Sequence, residues 1–236
     1  VVKTGIFALT RLIYYVFGAE LVRSFQNRNL LMILVLLSIL MGSFIALHQD
    51  NLKKRLAYST ISQLGYIVLG LMMLNETGVT GGLLHIVNHG LIKICLFFCV
   101  GGITFNTGKK YIHEIRGIGK EMPVTMGCFA IAAVSLIGIP PTNGFVSKWY
   151  LATGSLEGNK LMFVIILLVS AFLTAAYLLP IIITAFFPGN NKVYEKKEIP
   201  RTMLVPIVLI TVMIVMLGIF PNIILIFIKD IATSIV

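Results

Sequence analysis

Charged side chains are scarce in this sequence of 236 residues. They make up 12% of it, whereas soluble domains carry about 25%. Acidic residues are the scarcest, with nine aspartates and glutamates against nineteen lysines and arginines, a net charge of +10. Hydrophobic residues reach 58% and the mean hydropathy is +0.97. A soluble core cannot absorb this excess, because too much surface would stay apolar, but a bilayer can. The composition excludes an ordinary soluble domain and predicts an integral membrane protein.

Cysteines are also few. Cys95, Cys99 and Cys128 all lie inside apolar stretches, which favours small packing residues over disulfides or metal ligands. No motif for a flavin, a haem or an iron–sulfur cluster is visible, so we expect no cofactor, no metal and no redox chemistry in this chain. The positive charge does not indicate nucleic acid, because the basic residues sit in short loops between apolar runs.

The start of the sequence shows no cleavable signal peptide. It begins with Val1 rather than methionine, and a lysine follows two residues later. We expect a fragment that begins inside or at the edge of a helix.

Seven apolar segments divide the chain. Most are long enough for a helix of about 20 residues to cross the hydrocarbon core, and a helix satisfies its own backbone in lipid. The segments lie near residues 3–22, 29–47, 55–74, 79–105, 122–155, 161–187 and 202–228. We therefore predict an all-α polytopic membrane protein, a single membrane domain with about seven transmembrane helices, the fifth broken at 138–144.

The basic residues between these segments predict the orientation. Two sets of alternate loops differ strongly in lysine and arginine content. The richer set holds Lys53, Lys54, Arg55, Lys109, Lys110, Arg116, Lys120, Lys192, Lys196, Lys197 and Arg201, and the poorer set holds Arg23, Arg28, Lys160 and Lys229. By the positive-inside rule the richer set is cytoplasmic. We predict a multi-pass protein of the cell membrane, with the N-terminal end of this chain on the cytoplasmic side and the C-terminus outside.

Four basic residues fall inside the apolar segments: Lys3, Arg11, Lys93 and Lys148. A lysine near the middle of a membrane costs about 2.5–3.5 kcal/mol on insertion scales, so such residues are usually functional. Lys3 opens the first segment, so the sequence alone is equally compatible with a lysine that reaches to the membrane surface.

The fourth segment carries a repeated polar pattern. His85, His89 and Lys93 are spaced by four residues each, which places them on one helix face within about 12 Å along the axis. Histidine titrates near neutral pH, so protonatable groups one turn apart favour a proton path. Two alternatives remain: the histidines bind a metal or haem, or they only hydrogen-bond neighbouring helices.

The fifth segment contains Gly138, Pro140, Pro141 and Gly144, which predict a helix break. Unpaired backbone at that depth is tolerated only beside protein or a water-filled cavity, and broken helices mark ion sites in many transporters. Lys148 follows the break by about one turn. The alternative is a kink with a lysine that reaches the interface, which the neighbouring tryptophan and tyrosine would suit.

The third segment begins with polar or small side chains. They are Tyr58, Ser59, Thr60, Ser62, Gln63 and Tyr66. Such residues favour close helix approach or a hydrated vestibule, and we assign them mostly to packing.

Three stretches of this sequence together resemble a known family. Residues 51–66 read NLKKRLAYSTISQLGY, residues 82–93 read GLLHIVNHGLIK, and residues 138–148 include GIPP and GFVSK. In this order they are similar to the antiporter-like subunits of respiratory complex I, energy-converting hydrogenases and Mrp-type sodium/proton antiporters. Within that family, residues 145–151 lean towards the Mrp D-type or hydrogenase-type subunits.

The resemblance implies fourteen helices in two inverted five-helix repeats, of which this chain would be helices 8 to 14. It implies that Lys3 connects to the missing half, that Lys93 with His85 and His89 continues a central polar axis, and that Lys148 is the terminal lysine. It further implies proton or sodium/proton translocation beside other membrane subunits of a complex. A membrane haem or metal protein and a structural scaffold subunit remain the alternatives.

Overall fold

The structure, a computed structural model, describes residues 2–187 and 195–236. Within these ranges the chain is almost entirely helical and has no strand, apart from a single bridge between Asn51 and Tyr111. The predicted loop 188–201 falls partly outside the described residues, and Lys192 with it.

The helices follow one another in a simple order. They are α1 (Val2–Arg11), a π-helical stretch (Leu12–Phe17), α2 (Ala19–Ser24), α3 (Arg28–Leu47), α4 (Leu52–Met73), α5 (Glu76–Thr107), a 3-10 turn (Ile112–Ile115), α6 (Ile118–Glu121), α7 (Pro123–Ile137), α8 (Asn143–Glu157), α9 (Leu161–Phe186), α10 (Arg201–Ile219) and α11 (Asn222–Ile235).

In the part of the chain that the structure describes, α3, α4, α5, α9 and α10 are each long and apolar enough to cross a membrane. The shorter α7 is also apolar, and α8 follows it directly. The predicted all-α polytopic fold is confirmed, and the count of seven crossings holds approximately.

The ends of the central helices are set by local side chains. The carbonyl oxygen of the Asn75 side chain accepts from the backbone of Gly78 at 2.9 Å and starts α5. Gly108, at φ 72°, ends α5 by donating to the Thr104 carbonyl, as glycine does at helix C-termini. Asn51 starts α4 by accepting from the Lys54 backbone at 3.1 Å. Helix α5, with 32 residues, is thereby about 48 Å long.

The fifth apolar segment is broken as predicted. Helix α7 ends at Gly138, which has φ 95°, and α8 begins five residues later. The peptide bond between Pro140 and Pro141 is cis. A side chain on Gly144 would overlap the Ser135 carbonyl oxygen, so the two half-helices meet in backbone contact.

Two other segments differ from the single helices that we expected. The first segment passes through the π-helical stretch and is interrupted at Gly18, which has φ 79°. The last segment, predicted as 202–228, stops at Ile219 and restarts at Asn222, because Pro221 cannot donate into a continuing helix. Gly218, near the end of α10, packs on the backbone of Pro141 in the break between α7 and α8.

Helix α5 lies at the centre of the molecule and contacts α4, α7, α8, α10 and α11. One apolar cluster joins α5 to α7, α9 and α10, and a second joins α1, α3 and α4 to α9. The polar groups of α5 are therefore enclosed by protein on most sides.

A buried arginine and a glutamate anchor one end of the bundle. Arg55 donates to the carbonyls of Gln49 and Tyr177, both at 2.7 Å, and of Leu47 at 3.1 Å, which ties α3, α4 and α9 together. The Glu198 carboxylate accepts from the Val124 backbone at 2.6 Å. It thereby caps the N-terminus of α7, where the helix dipole favours a negative charge.

Candidate functional site

The predicted polar face of α5 is buried. His85, His89 and Lys93 are exposed by only 1%, 0% and 4%. The two imidazole rings are stacked, with centroids 5.7 Å apart and planes 6° apart. Protonatable groups thus follow one another along the centre of the helix, as the four-residue spacing requires.

Lys93 is held by the first turns of α4. Its ammonium donates to the Leu56 carbonyl at 2.8 Å and to the hydroxyl of Ser59, which itself donates to the same carbonyl at 2.9 Å. Both acceptors are neutral. The sequence had assigned the polar start of α4 mostly to packing, and its serine instead contacts the buried charge.

His85 uses both ring nitrogens. Nδ1 lies 2.9 Å from the Ser147 hydroxyl on α8, and Nε2 lies 3.1 Å from Oε1 of Gln63 on α4. The ring also lies 5.6 Å from that of Tyr66. One histidine therefore joins three helices at the point where the broken helix approaches α5.

His89 differs, because neither of its ring nitrogens has a hydrogen-bond partner in the described residues. The side-chain nitrogen of Gln63 and the hydroxyl of Thr80 share this property. Buried polar groups are nearly always hydrogen-bonded, to protein or to water. These three side chains therefore keep hydrogen-bonding groups that no protein group in the described residues uses.

Lys148 points back to the helix break. Its ammonium donates to the carbonyls of Leu136 at 2.7 Å and Ile137 at 2.9 Å. These carbonyls belong to the last turn of α7, where helix carbonyls have no partner within their own helix. The neighbouring Trp149 faces outward, 57% exposed, so the lysine does not follow it to the surface.

Lys3 lies against the middle of α5. A side chain built on Gly90 would come within 3.4 Å of Cε and 3.7 Å of Nζ of Lys3. The residue is half-buried. Because Gly90 lies between His89 and Lys93, the structure brings Lys3 to the same depth as the histidine–lysine face.

An asparagine pair missed by sequence reasoning joins α5 to the break. Asn88 donates to the Asn143 carbonyl at 2.8 Å and accepts from its side chain at 3.2 Å, while Ser135 donates to Asn143 at 2.8 Å. Both asparagines lay in motifs that the sequence singled out. Their pairing required knowledge of which helices touch.

No carboxylate balances these charges within residues 2–187 and 195–236. The ion pairs there are Arg23 with Glu20 at 3.3 Å and Lys109 with Glu121 at 4.0 Å, both near helix ends. A lysine in this interior can therefore release its proton without leaving a partner carboxylate unpaired.

The metal alternative gains no support from this geometry. His85 has both nitrogens engaged, and the two histidine rings lie parallel and do not converge on one point. Across the described ranges, no group of three or more histidine, cysteine, aspartate or glutamate side chains is arranged to hold a metal.

The fold and site define a multi-pass helical membrane protein with a broken helix beside a buried row of lysines and histidines. The chain belongs to the family described as NADH:quinone oxidoreductase/Mrp antiporter, TM, whose profile matches residues 1–174. This confirms the resemblance seen in the sequence.

Among its relatives, NADH-quinone oxidoreductase subunit N of Desulforudis audaxviator is 40% identical over 231 residues, covering 92% of this chain and 46% of that protein. F(420)H(2) dehydrogenase subunit M of Methanosarcina mazei is 31% identical over 197 residues, covering 82% of this chain and 40% of that protein. The chain spans about half the length of the curated relatives it matches. The subunit N likeness gives no support to the lean towards Mrp D-type or hydrogenase-type subunits.

Solved structures show the same fold. A chain of the Mrp complex from Dietzia sp. DQ12-45-1b matches with a TM-score of 0.88 and 21% identity over 99% of this chain and 51% of that one. A chain of respiratory complex I from Thermus thermophilus matches with a TM-score of 0.86 and 23% identity over 98% of this chain and 48% of that one.

Proposed function

We propose that this chain moves protons through the membrane along Lys3, Lys93, His89, His85 and Lys148, as the C-terminal half of a longer antiporter-like subunit. In family terms it supplies helices 8 to 14, residues 1–236. The observation that carries the proposal is the set of ammonium and imidazole groups on α5 and α8, buried on α5 and half-buried at Lys148, whose hydrogen-bond partners among the described residues are all neutral.

The mechanism follows from electrostatics in a medium of low dielectric constant. Two like charges in the protein interior repel far more strongly than in water, so a proton on one site makes its neighbour easier to deprotonate. Lys3 lies against Gly90, next to His89, and Lys148 follows Ser147, which bonds His85, so both lysines lie near the histidines of α5. A proton that arrives at one end therefore favours release at the other.

Transfer between the sites needs bridging groups. His85 bonds Ser147, the residue before Lys148 on α8, and the Lys148 ammonium lies 5.1 Å from the centroid of the Tyr66 ring. The ring of His89 lies between His85 and Lys93 and is stacked on that of His85 with centroids 5.7 Å apart, and water bound to its ring nitrogens would complete the path. At the Lys148 end of the path, the helix break leaves neutral backbone carbonyls free to accept from the ammonium group.

The relatives indicate the kind of partner. They are named as subunits of NADH-quinone oxidoreductase and F(420)H(2) dehydrogenase, and solved neighbours belong to the Mrp complex and complex I. We propose that this chain works beside other membrane subunits of such a complex, moving protons or exchanging them for sodium. In a redox-driven complex, electron transfer in the partner subunits would bias these charges, and in an antiporter an ion gradient would do so.

We assign the lysine-rich ends of the bundle, around Lys53 and Lys109, to the cytoplasm. The support is the positive-inside rule. The end that carries Asn75 and Lys160 then faces outward, and Lys148 lies on the release side.

The test replaces Lys93 or Lys148 with alanine in the full-length subunit within its complex. We expect proton uptake into proteoliposomes to disappear while subunit assembly, followed on native gels, persists. Normal uptake in both variants would overturn the proposal. Loss of assembly in both would favour the structural-scaffold alternative, and a Soret band in the purified wild type would favour haem binding.

A further inference from the structure

A ring of hydrogen bonds joins α5 to both halves of the broken helix. The Asn143 backbone carbonyl accepts from Nδ2 of Asn88 at 2.8 Å, and Oδ1 of Asn88 accepts from Nδ2 of Asn143 at 3.2 Å. Oδ1 of Asn143 accepts from the Ser135 hydroxyl at 2.8 Å, and that hydroxyl oxygen accepts from the Gly144 backbone at 3.2 Å. Asn88, Asn143 and Ser135 are all buried, so the ring is closed off from solvent.

Each hydrogen bond in this ring has only one possible direction. The ring begins at a backbone carbonyl, which can only accept, and ends at a backbone N–H, which can only donate. Turning the Asn88 amide would place its oxygen against the Asn143 carbonyl, and turning the Asn143 amide alone would place two side-chain oxygens together. The ring is therefore neutral and has a single arrangement, in which position 88 must both donate and accept.

The ring fixes the spacing of the two half-helices where Lys148 binds. Ser135 belongs to α7, and the residues that follow it are Leu136 and Ile137, whose carbonyls accept from Lys148 at 2.7 and 2.9 Å. Asn143 belongs to the first turn of α8, five residues before Lys148. A hydrogen-bonded link between Ser135 and Asn143 therefore sets the distance between the ammonium and its acceptors.

The ring also fixes the contact between α8 and the histidines. Ser147 lies one turn after Asn143 on α8, and His85 lies nearly one turn before Asn88 on α5. Ser147 and His85 are 2.9 Å apart. The two helices thus meet in consecutive polar contacts, and a displacement of the Asn88 contact would change the next one.

We propose that Asn88 is a positioning residue for proton transfer, because its amide sets the Lys148 and Ser147 contacts by donating to the first turn of α8. The inference rests on the proposed function. The outer part of α8 has an attachment of its own, since a side chain on Gly81 or Gly154 would overlap the backbone of the facing helix. Loss of the ring should therefore displace the inner end of α8 without detaching the helix.

The test compares two replacements of similar size in the full-length subunit within its complex. Asn88→Leu removes both the donor and the acceptor, and we expect proton uptake to fall about tenfold at every pH. In Asn88→Asp, a protonated carboxyl group has one O–H donor and one carbonyl acceptor and can replace the amide, whereas an ionised one can only accept. We expect uptake close to that of the wild type at acidic pH, with a decline as the carboxyl group ionises.

Other titratable groups lie near position 88. They are His85 and His89 on α5, Lys148 on α8 and Lys3 on α1, while the side chains that α10 and α11 place beside Asn88 include the apolar Leu217 and Ile224. The uptake of each variant is therefore divided by that of the wild type at the same pH. A role in filling space alone would not make Asn88→Asp exceed Asn88→Leu under acidic conditions.

Ser135→Ala removes one link of the ring and should lower uptake about threefold or more. Ser155→Ala is its matched control and should leave uptake unchanged, because this buried serine of α8 donates within its own helix, to the Leu151 carbonyl at 2.8 Å. Assembly is followed on native gels. If Asn88→Leu does not assemble, Ser135→Ala decides in its place.

The inference is overturned if the deciding variant assembles and keeps more than half of the wild-type uptake. It is also overturned if Asn88→Asp pumps no better than Asn88→Leu at acidic pH. If Lys148→Ala pumps normally, the proposed function itself fails. If Lys148→Ala stops uptake and the Asn88 and Ser135 variants do not lower it, only this inference fails.

Discussion

Lys93 and Lys148 both bind backbone carbonyls inside the membrane, but they obtain them differently. The Leu56 carbonyl that holds Lys93 lies within the continuous helix α4 and also accepts from the hydroxyls of Ser59 and Thr60, at 2.9 and 3.0 Å. Lys148 binds two carbonyls that the end of α7 leaves free. Lys93 therefore shares one carbonyl of a continuous helix with two hydroxyl groups and uses a serine as its second acceptor. Lys148 instead binds two carbonyls that the end of a broken helix leaves free.

The largest effect should come from a side chain added where α7 and α8 meet in backbone contact at the helix break. In Gly144→Ala the new methyl group would overlap the Ser135 carbonyl oxygen, so α7 and α8 must move apart. We expect a loss of several kcal/mol and failure of the subunit to assemble, read from native gels of membranes. Gly127→Ala on α7 is the control, because its methyl group would meet nothing within 4 Å. Equal assembly of both variants would show that α7 and α8 can move apart without loss of assembly.

A second experiment tests whether the shared carbonyl of α4 needs its serine. Ser59→Ala removes one of the two acceptors of Lys93, and a hydrogen bond to a charged group contributes about 1.5–3 kcal/mol. We expect proton uptake to fall about tenfold. Ser43→Ala is the control, since that buried hydroxyl bonds Ser62 at 2.8 Å and Ser170 at 3.2 Å and contacts no lysine in these bonds. Equal uptake in both variants would remove the distinction between the two lysine sites.

The other end of α7 offers a smaller test. Glu198 caps this half-helix through the Val124 backbone and the Thr125 hydroxyl, at 2.6 and 2.7 Å. Glu198→Ala should cost about 1–2 kcal/mol and lower the Tm of the purified complex by a few degrees. Lys196→Ala, which removes a charge from an exposed side chain two residues away, is the comparison for a change of charge alone. A Tm unaffected by Glu198→Ala would mean that Lys148 alone stabilises α7 through its dipole.

The smallest effect concerns the pH dependence of Glu114, a carboxylate outside the membrane-spanning helices. The backbone N–H groups of Lys110 and Tyr111, at 2.8 and 2.9 Å, hold the pKa of Glu114 below its usual value. Because the pKa is lowered in the folded state, this stabilisation is present above the carboxyl's unfolded pKa and is lost as the pH falls through the lowered one. The protection of the amides of residues 110 and 111, measured as exchange relative to the intrinsic rate at each pH, should fall below about pH 4. Glu114→Ala, which removes the acceptor, should lack this protection at every pH, and protected amides in that variant would contradict the assignment.

Sequence reasoning was most informative where polar or helix-breaking residues stood out against an apolar background. Lys93 and Lys148 were recognisable because a charge in an apolar run is costly, and the first helix break followed from Pro140 and Gly138. The break at Pro221 was missed because apolar residues continue on both sides and no charge marks it. Local pattern indicated neither the Asn88 contact with Asn143 nor the depth of Lys3, since both depend on which helices touch.

The break between α7 and α8 and the end of α10 meet at Gly218, whose missing side chain lets α10 rest on the backbone of Pro141 and Thr142. Such a contact cannot adapt by rotating a side chain. A shift of α10 towards the bundle must be taken up by the segment that joins α7 to α8, only a few residues from the carbonyls that hold Lys148. A movement of α10 would therefore displace the Lys148 site, and a residue larger than glycine at position 218 would have the same effect.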